Sequence, residues 1–168
     1  YSGTPRGAIY KGASNVVTNG ATRVNSAGSY LSLDVTKSGK PVIVYFDSDN
    51  ETLRIAYSTS AKPSMTDVDN GRDTFTRQTI PGVKGGTYVQ AKIDQQNYLH
   101  IMYRDSDGQL CYIKSTNNPD GEKYEFKDPR MVIETSGTYG TLSLMNNNGT
   151  YVPCVAFLNS EGTANGVK

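Results

Sequence analysis

The feature that most limits what this chain can fold into is an internal threefold repeat. Gly28-Ser29-Tyr30 returns as Gly86-Thr87-Tyr88 and again as Gly137-Thr138-Tyr139. A recurring period of this kind means that one small structural unit is stacked several times. An alternating stretch follows each anchor: Leu31-Ser32-Leu33-Asp34-Val35, Val89-Gln90-Ala91-Lys92-Ile93 and Gly140-Thr141-Leu142-Ser143-Leu144. Apolar residues recur at Leu33, Ala91 and Leu142, and at Val35, Ile93 and Leu144, with polar residues between them. A period of two predicts a strand with one face in the core.

A turn follows in each copy, carried by Lys37-Ser38-Gly39-Lys40, Gln95-Gln96-Asn97 and Asn146-Asn147-Asn148-Gly149. The second strand is Pro41 to Ser48, then Leu99 to Ser106, then Pro153 to Ser160. These runs are apolar on both faces, as expected of a strand covered on both sides by neighbouring sheets. Each ends in Asp-Ser or Asn-Ser, a turn starter whose side chain can accept a backbone N–H two residues on. A third strand reads Leu53 to Ser58 and Leu110 to Ser115. A less regular fourth carries Phe75 and Ile80 in one copy, Phe126 and Val132 in the next, with Val16, Val17 and Val24 as its earliest version.

Four strands joined in sequence form an antiparallel meander, and the expected fold is all-β, with three β-propeller blades in one repeat domain spanning residues 1–168. Each copy takes about 56 residues. The end, Asn165-Gly166-Val167-Lys168, reads as the opening of a third strand, and the start, Tyr1-Ser2-Gly3-Thr4-Pro5, as the close of one. The termini are therefore expected to fall inside one blade, either as a module cut from a longer array or as two ends that complete that blade together. Three blades do not close a ring, since propellers carry roughly four to eight. The expected partners are a second chain, making half of a six-bladed ring into a whole one, or further blades of a longer parent.

Twelve Tyr, 17 Gly and many Thr, Val, Asn and Ser suit short strands joined by tight turns. The formal net charge of +1 leaves no electrostatic footprint for nucleic acid or an anionic membrane. No stretch approaches the roughly 18 apolar residues that cross a bilayer as a helix. Cys111 and Cys154 match no metal motif and are expected as free thiols, with a disulfide as the alternative. Few Cys with abundant Asn, Gly, Ser and Thr suits an exported bacterial protein: secreted, periplasmic or on the cell surface.

The succession of a Gly-rich entry, an alternating strand, Gly39-Lys40-Pro41-Val42-Ile43-Val44-Tyr45-Phe46-Asp47-Ser48 and Leu53-Arg54-Ile55-Ala56-Tyr57-Ser58 resembles the blade repeats of sialidase-like and related bacterial surface propellers. Asp105-Ser106-Asp107-Gly108 is similar to part of the Asp-box turn of those repeats. The closing tryptophan of that motif is missing, Asp47-Ser48-Asp49-Asn50 lacks its glycine, and the third copy has Asn159-Ser160-Glu161-Gly162. In families that carry the Asp-box, the resemblance implies a structural turn and no catalytic part.

Few residues form a constellation that chemistry requires. A sialidase-like site would need three arginines converging on a carboxylate, and none of Arg6, Arg23, Arg54, Arg72, Arg77, Arg104 and Arg130 recurs at an equivalent inner position of each copy. His100, the sole histidine, stands where the other copies have Val42 and Cys154. It reads as a hydrogen-bonded packing residue with no evident serine, cysteine or carboxylate partner, so a catalytic triad has no support. Asp67, Asp69 and Asp73, around Asn70-Gly71, resemble the first half of a calcium loop. The distal glutamate is absent, so Ca²⁺ is only a weak cofactor candidate beside a solvated loop. If the first strand lines a propeller channel, Ser32, Asp34, Gln90, Lys92, Thr141 and Ser143 face it and form the candidate ligand-binding set. Tyr30, Tyr88 and Tyr139 read as packing residues at a shared junction, with sugar stacking as the alternative.

The function expected from these observations is a noncatalytic exported propeller module serving as a binding or assembly scaffold, with Ala61 to Asp73 as its most distinctive loop. Two alternatives stand beside it: a glycan-binding or glycan-processing propeller with its site at the channel mouth, and a structural piece of a larger surface or filament protein.

Overall fold

The computed structural model describes residues 27–61, 75–127 and 130–159. Over these residues the chain is all β, with ten strands, antiparallel pairing throughout and no helix. The first sheet is β1 (Ala27–Val35), β2 (Pro41–Asp47), β3 (Thr52–Ser58) and β4 (Phe75–Thr79), hydrogen-bonded in that order. The second repeats the plan with β5 (Gly85–Ile93), β6 (Leu99–Asp105), β7 (Leu110–Lys114) and β8 (Met131–Glu134). The third contains β9 (Gly137–Asn147) and β10 (Thr150–Asn159).

Turn chemistry sets the register of these hairpins. Thr36 to Lys40, Asp94 to Tyr98 and Asp105 to Gln109 share one five-residue design. In each, the first residue's N–H donates to the fifth carbonyl and the fourth N–H donates to the first carbonyl. The fourth residue is left-handed in all three: Gly39 at φ 83°, Asn97 at 68° and Gly108 at 83°. Glycine and asparagine are the residues that tolerate this region. Asn148 (φ 51°) and Gly149 (φ 88°) join β9 to β10 in a two-residue loop of the Asn-Gly type. The turn-starting role read for the Asp-Ser pair is seen at Asp105, whose Oδ1 accepts the N–H of Asp107 at 3.0 Å and of Gln109 at 2.8 Å. Asp47 accepts from Asn50, three residues on, at 3.3 Å.

The sheets stack through their broad faces. β2 and β3 send Val42, Val44, Leu53, Ile55 and Tyr57 against Val89, Ala91, Leu99, Ile101, Tyr103, Cys111 and Ile113 of the second sheet, and Ile80, Val83 and Tyr124 complete this core. The second sheet meets the third through a smaller cluster of Met102, Leu110, Leu142, Val155 and Phe157. β6 serves both cores because its alternating faces carry Ile101 and Tyr103 one way and Met102 the other.

Several sequence expectations need correction. Leu33 and Val35 are 63% and 50% exposed, whereas Ala91 and Leu142 at the repeat position of Leu33 are buried. Their side of β1 faces away from the second sheet and is left uncovered. The fourth strand is also less regular than expected. β4 ends at Thr79, before Ile80, and Phe126 lies outside β8 in an isolated bridge to Ser115. Asn117 explains this: its side chain donates to the Lys123 carbonyl and accepts from the Glu125 N–H, which pins a loop ahead of Phe126. Cys111 and Cys154 are both free. The elements expected around Val16, Val17 and Val24, at Asn165 to Lys168 and along most of the Ala61 to Asp73 connection lie outside the described residues.

Candidate functional site

The three repeat tyrosines form one continuous row. Tyr30 and Tyr88 have ring centroids 5.4 Å apart at an interplanar angle of 58°, and Tyr88 and Tyr139 are 4.9 Å apart at 57°. All three occupy the left-handed region, at φ 51°, 54° and 49°. This conformation costs a bulky L-residue about 1–2 kcal/mol. Such strain persists only where the surroundings impose it, and it concentrates at functional positions.

The local cause is a β-bulge in the first strand of each sheet. Register shifts fall on either side of Ser29 in β1, on either side of Thr87 in β5, and opposite Ala156 and Leu158 in β9. A bulge re-aims a side chain out of the regular alternation. Close packing beneath the row holds the bulge: a Cβ on Gly86 would collide with the Leu53 side chain, so only glycine fits one position before the Thr-Tyr pair of β5. The rings nevertheless reach solvent, with Tyr30 at 45% and Tyr139 at 69% exposure. Hydrogen bonding to the Tyr139 hydroxyl, with smaller contributions from desolvation and neighbouring phenols, raises the Tyr88 phenol above its usual range; Arg104 acts in the opposite sense. A raised phenol stays protonated at neutral pH. The row therefore offers hydroxyl groups and aromatic surface.

The residues expected to line a channel are placed differently. Ser32 Oγ accepts the Ala91 N–H at 2.9 Å, and Asp34 Oδ2 accepts the Ile93 N–H at 2.8 Å. Both side chains therefore stitch β1 to the open edge of β5 and are occupied as structural acceptors. Gln90 and Lys92 hold the matching positions on β5, half-buried and exposed respectively. Thr141 and Ser143 on β9 are exposed. Ser32 and Asp34 meet the edge of β5 while Thr141 and Ser143 meet solvent, so the set does not converge on one site. The candidate metal residues Asp67, Asp69 and Asp73 lie outside the described residues. Among the described residues no group of three or more His, Cys, Asp and Glu side chains could hold a metal ion.

His100 has the carboxylate partner that repeat alignment failed to reveal. Its Nε2 lies 3.2 Å from Asp94 Oδ2 and its Nδ1 2.7 Å from the Tyr112 hydroxyl. Asp94 Oδ1 accepts the N–H groups of Gln96 and Tyr98, which fixes the carboxylate in its turn. A neutral ring satisfies every partner: Nε2–H donates to Asp94 and the Tyr112 hydroxyl donates to Nδ1. Burial dominates and lowers the His100 pKa, against the opposing effect of its hydrogen bond to Asp94. Burial also pushes the Tyr112 phenol up to about 12, aided by the Asp94 charge. His100 has no exposed surface, so the group is a satisfied polar insert in the core. The sequence signal for it was Asp94, the first residue of the turn that leads into the His100 strand.

A second buried cluster surrounds Asp105, whose Oδ2 lies 3.0 Å from Arg130 Nη2 and 3.5 Å from Cys111 Sγ. Burial first, then the Asp105 charge, pushes the Cys111 thiol up to about 12, far from a reactive thiolate. Arg54 pairs with buried Asp47 at 3.3 Å, and Arg104 Nε donates to the Gly108 carbonyl at 3.1 Å. These arginines close turns in different sheets and do not gather on one point. Among the described residues, no helix is long and apolar enough to cross a membrane.

No family model and no curated protein sequence matches the chain. Among solved structures, it is similar to the α-L-arabinofuranosidase from Lactobacillus brevis, with 10% identity and a TM-score of 0.44. That likeness covers 82% of this chain and 46% of the other, so the chain spans less than half the length of that neighbour.

Proposed function

We propose that this chain is a noncatalytic, exported β-propeller module of sialidase-like blade grammar that binds a glycan through Tyr30, Tyr88 and Tyr139. The observation that carries the reading is the row itself: three strained, solvent-reaching tyrosines, one from the first strand of each sheet, in unbroken ring contact. Packing alone does not require a bulky residue in a left-handed conformation three times over, twice at an exposed position and once, at Tyr88, at a half-buried one. A sugar has apolar C–H faces and a hydroxyl rim, and phenol rings with their hydroxyls complement both. Consecutive sheet order and adjacent first strands support the propeller reading, with each meander as one blade.

Isothermal titration with xylohexaose, arabinohexaose and cellohexaose tests the proposal. Wild type should bind at least one of them, and Tyr88→Ala, which removes the middle of the row, should weaken that binding at least tenfold while leaving the far-ultraviolet circular dichroism unchanged. Absence of binding to all three, or a Tyr88→Ala affinity equal to wild type, overturns it.

A further inference from the structure

β1 presents to solvent the face that the equivalent strand of the next sheet buries. Leu31, Leu33 and Val35 are 53%, 63% and 50% exposed. Their repeat counterparts in β5 are Val89 and Ala91, at 2% and 1%, and half-buried Ile93, all packed against the first sheet. The neighbouring sheet is what covers those positions. Farther out on the same face of the first sheet, Tyr45 and Ala56 are already buried in a cluster with Ile43 and Phe75. The strip still to be covered is β1.

The other end of the stack carries the complementary surface. β10 turns Val155 and Phe157 inward to Met102 and Leu110. Strand alternation therefore sends Val152, Cys154, Ala156 and Leu158 outward, with Val152 37% and Leu158 48% exposed. Cys154 and Ala156 correspond to Val42 and Val44, which cover β5 from the first sheet. The polar pattern repeats as well. Ser32 and Asp34 accept the N–H groups of Ala91 and Ile93, and one repeat further on the same register offers the exposed hydroxyls of Thr141 and Ser143 to the N–H groups of Leu33 and Val35. Within the chain, the Val35 N–H is met by the adjacent Asp34 carboxylate at 2.9 Å.

We infer that a second copy of this chain seats its β9–β10 hairpin on β1, and that the reciprocal contact closes a ring of six sheets. Six sheets lie within the range of about four to eight found for propellers. Three sheets from each of two chains supply them, with a two-fold axis relating the copies. The partner's tyrosines then continue the row into a collar around the axis.

Light scattering on a sizing column tests this with the chain as it stands. The expected mass is twice 18.3 kDa. Leu33→Lys and Leu158→Asp, both at exposed sites, should each give a folded monomer by circular dichroism. An equimolar mixture of the two should recover the dimer, because one contact then joins opposite charges and the other remains native. A wild-type monomer at every concentration overturns the inference and leaves further sheets of a longer chain as the cover. A dimer indifferent to both substitutions, or open-ended oligomers, overturns it equally.

Discussion

The junction between the first and second sheets and the junction between the second and third are built from the same repeat, yet they are not equally strong. Among the described residues, the first buries fifteen side chains in one cluster and the second five. The first is also stitched along its whole height. Ser32 and Asp34 bind the β5 edge, Lys37 N–H donates to Asn97 at 2.8 Å, and Gln78 both donates to and accepts from the Tyr124 backbone. Thr52 Oγ1 donates to the Val83 carbonyl, and the Lys40 ammonium pairs with Asp120 at 3.2 Å. The second junction has Gln96 donating to the Gly149 carbonyl at 3.2 Å, and an apolar cleft of about 240 Å³ opens beside it between Tyr112, Met131, Val132, Ile133, Pro153 and Val155. A single substitution explains part of the difference. Asp34 has two acceptor oxygens, whereas Lys92 at the same repeat position has none. Strand pattern decides that two sheets will stack, and the chemistry of the residues between the core positions decides how firmly.

The comparison can be broken most directly by removing the same methyl groups from each junction. Val44→Ala in the first should cost about 2.5 kcal/mol and Val155→Ala in the second about 1 kcal/mol, read from urea denaturation midpoints; equal losses would mean that the junctions are equivalent. The next effect is polar. Asp34→Ala leaves the Ile93 N–H without its acceptor and should cost about 1.5 kcal/mol. Lys92→Ala should stay within about 0.5 kcal/mol of wild type.

The smallest effect concerns pH. His100 is neutral in the fold with its pKa lowered from 6.5, chiefly by burial, so the unfolded chain binds the extra proton. Its contribution to stability is complete above pH 6.5 and is lost as the pH falls toward the folded value. The melting temperature should decline from pH 7 to pH 5, and His100→Gln, less stable at pH 7, should show a shallower decline. An unchanged slope would assign the effect to other groups.

Much of the scaffold was legible because period-two alternation and the Gly-x-Tyr anchor are local signals. Strands β2, β3, β5, β6 and β10 fall close to where Val42–Tyr45, Leu53–Tyr57, Val89–Ile93, Ile101–Tyr103 and Val155–Phe157 placed them. The fourth strands were harder to read, because Phe126 is apolar but is held off the ladder by Asn117, which belongs to a loop. The candidate site was half legible. The sequence showed that the tyrosines recur, but not that a bulge rotates each of them into ring contact, since that depends on φ. The Ser32 and Asp34 roles were misread for a related reason: alternation gives a face, and only the stacking of sheets says whether that face meets solvent or a neighbouring backbone edge. Asp94 and His100 looked unrelated until the turn between them folded back.

The shared five-residue turn has a consequence for how this chain can change over generations. Thr36, Asp94 and Asp105 open the same loop, each buried with a side-chain oxygen that accepts N–H groups of its own turn, while the two positions after them, Lys37-Ser38, Gln95-Gln96 and Ser106-Asp107, differ from copy to copy. The length of the loop is a different matter. Adding or deleting one residue would slip the pairing and exchange the two faces of the following strand, sending Val44 or Ile101 to the wrong neighbour. Sequence drift at those two positions is cheap while length drift is forbidden, and copies of the repeat can diverge almost beyond recognition yet still keep step.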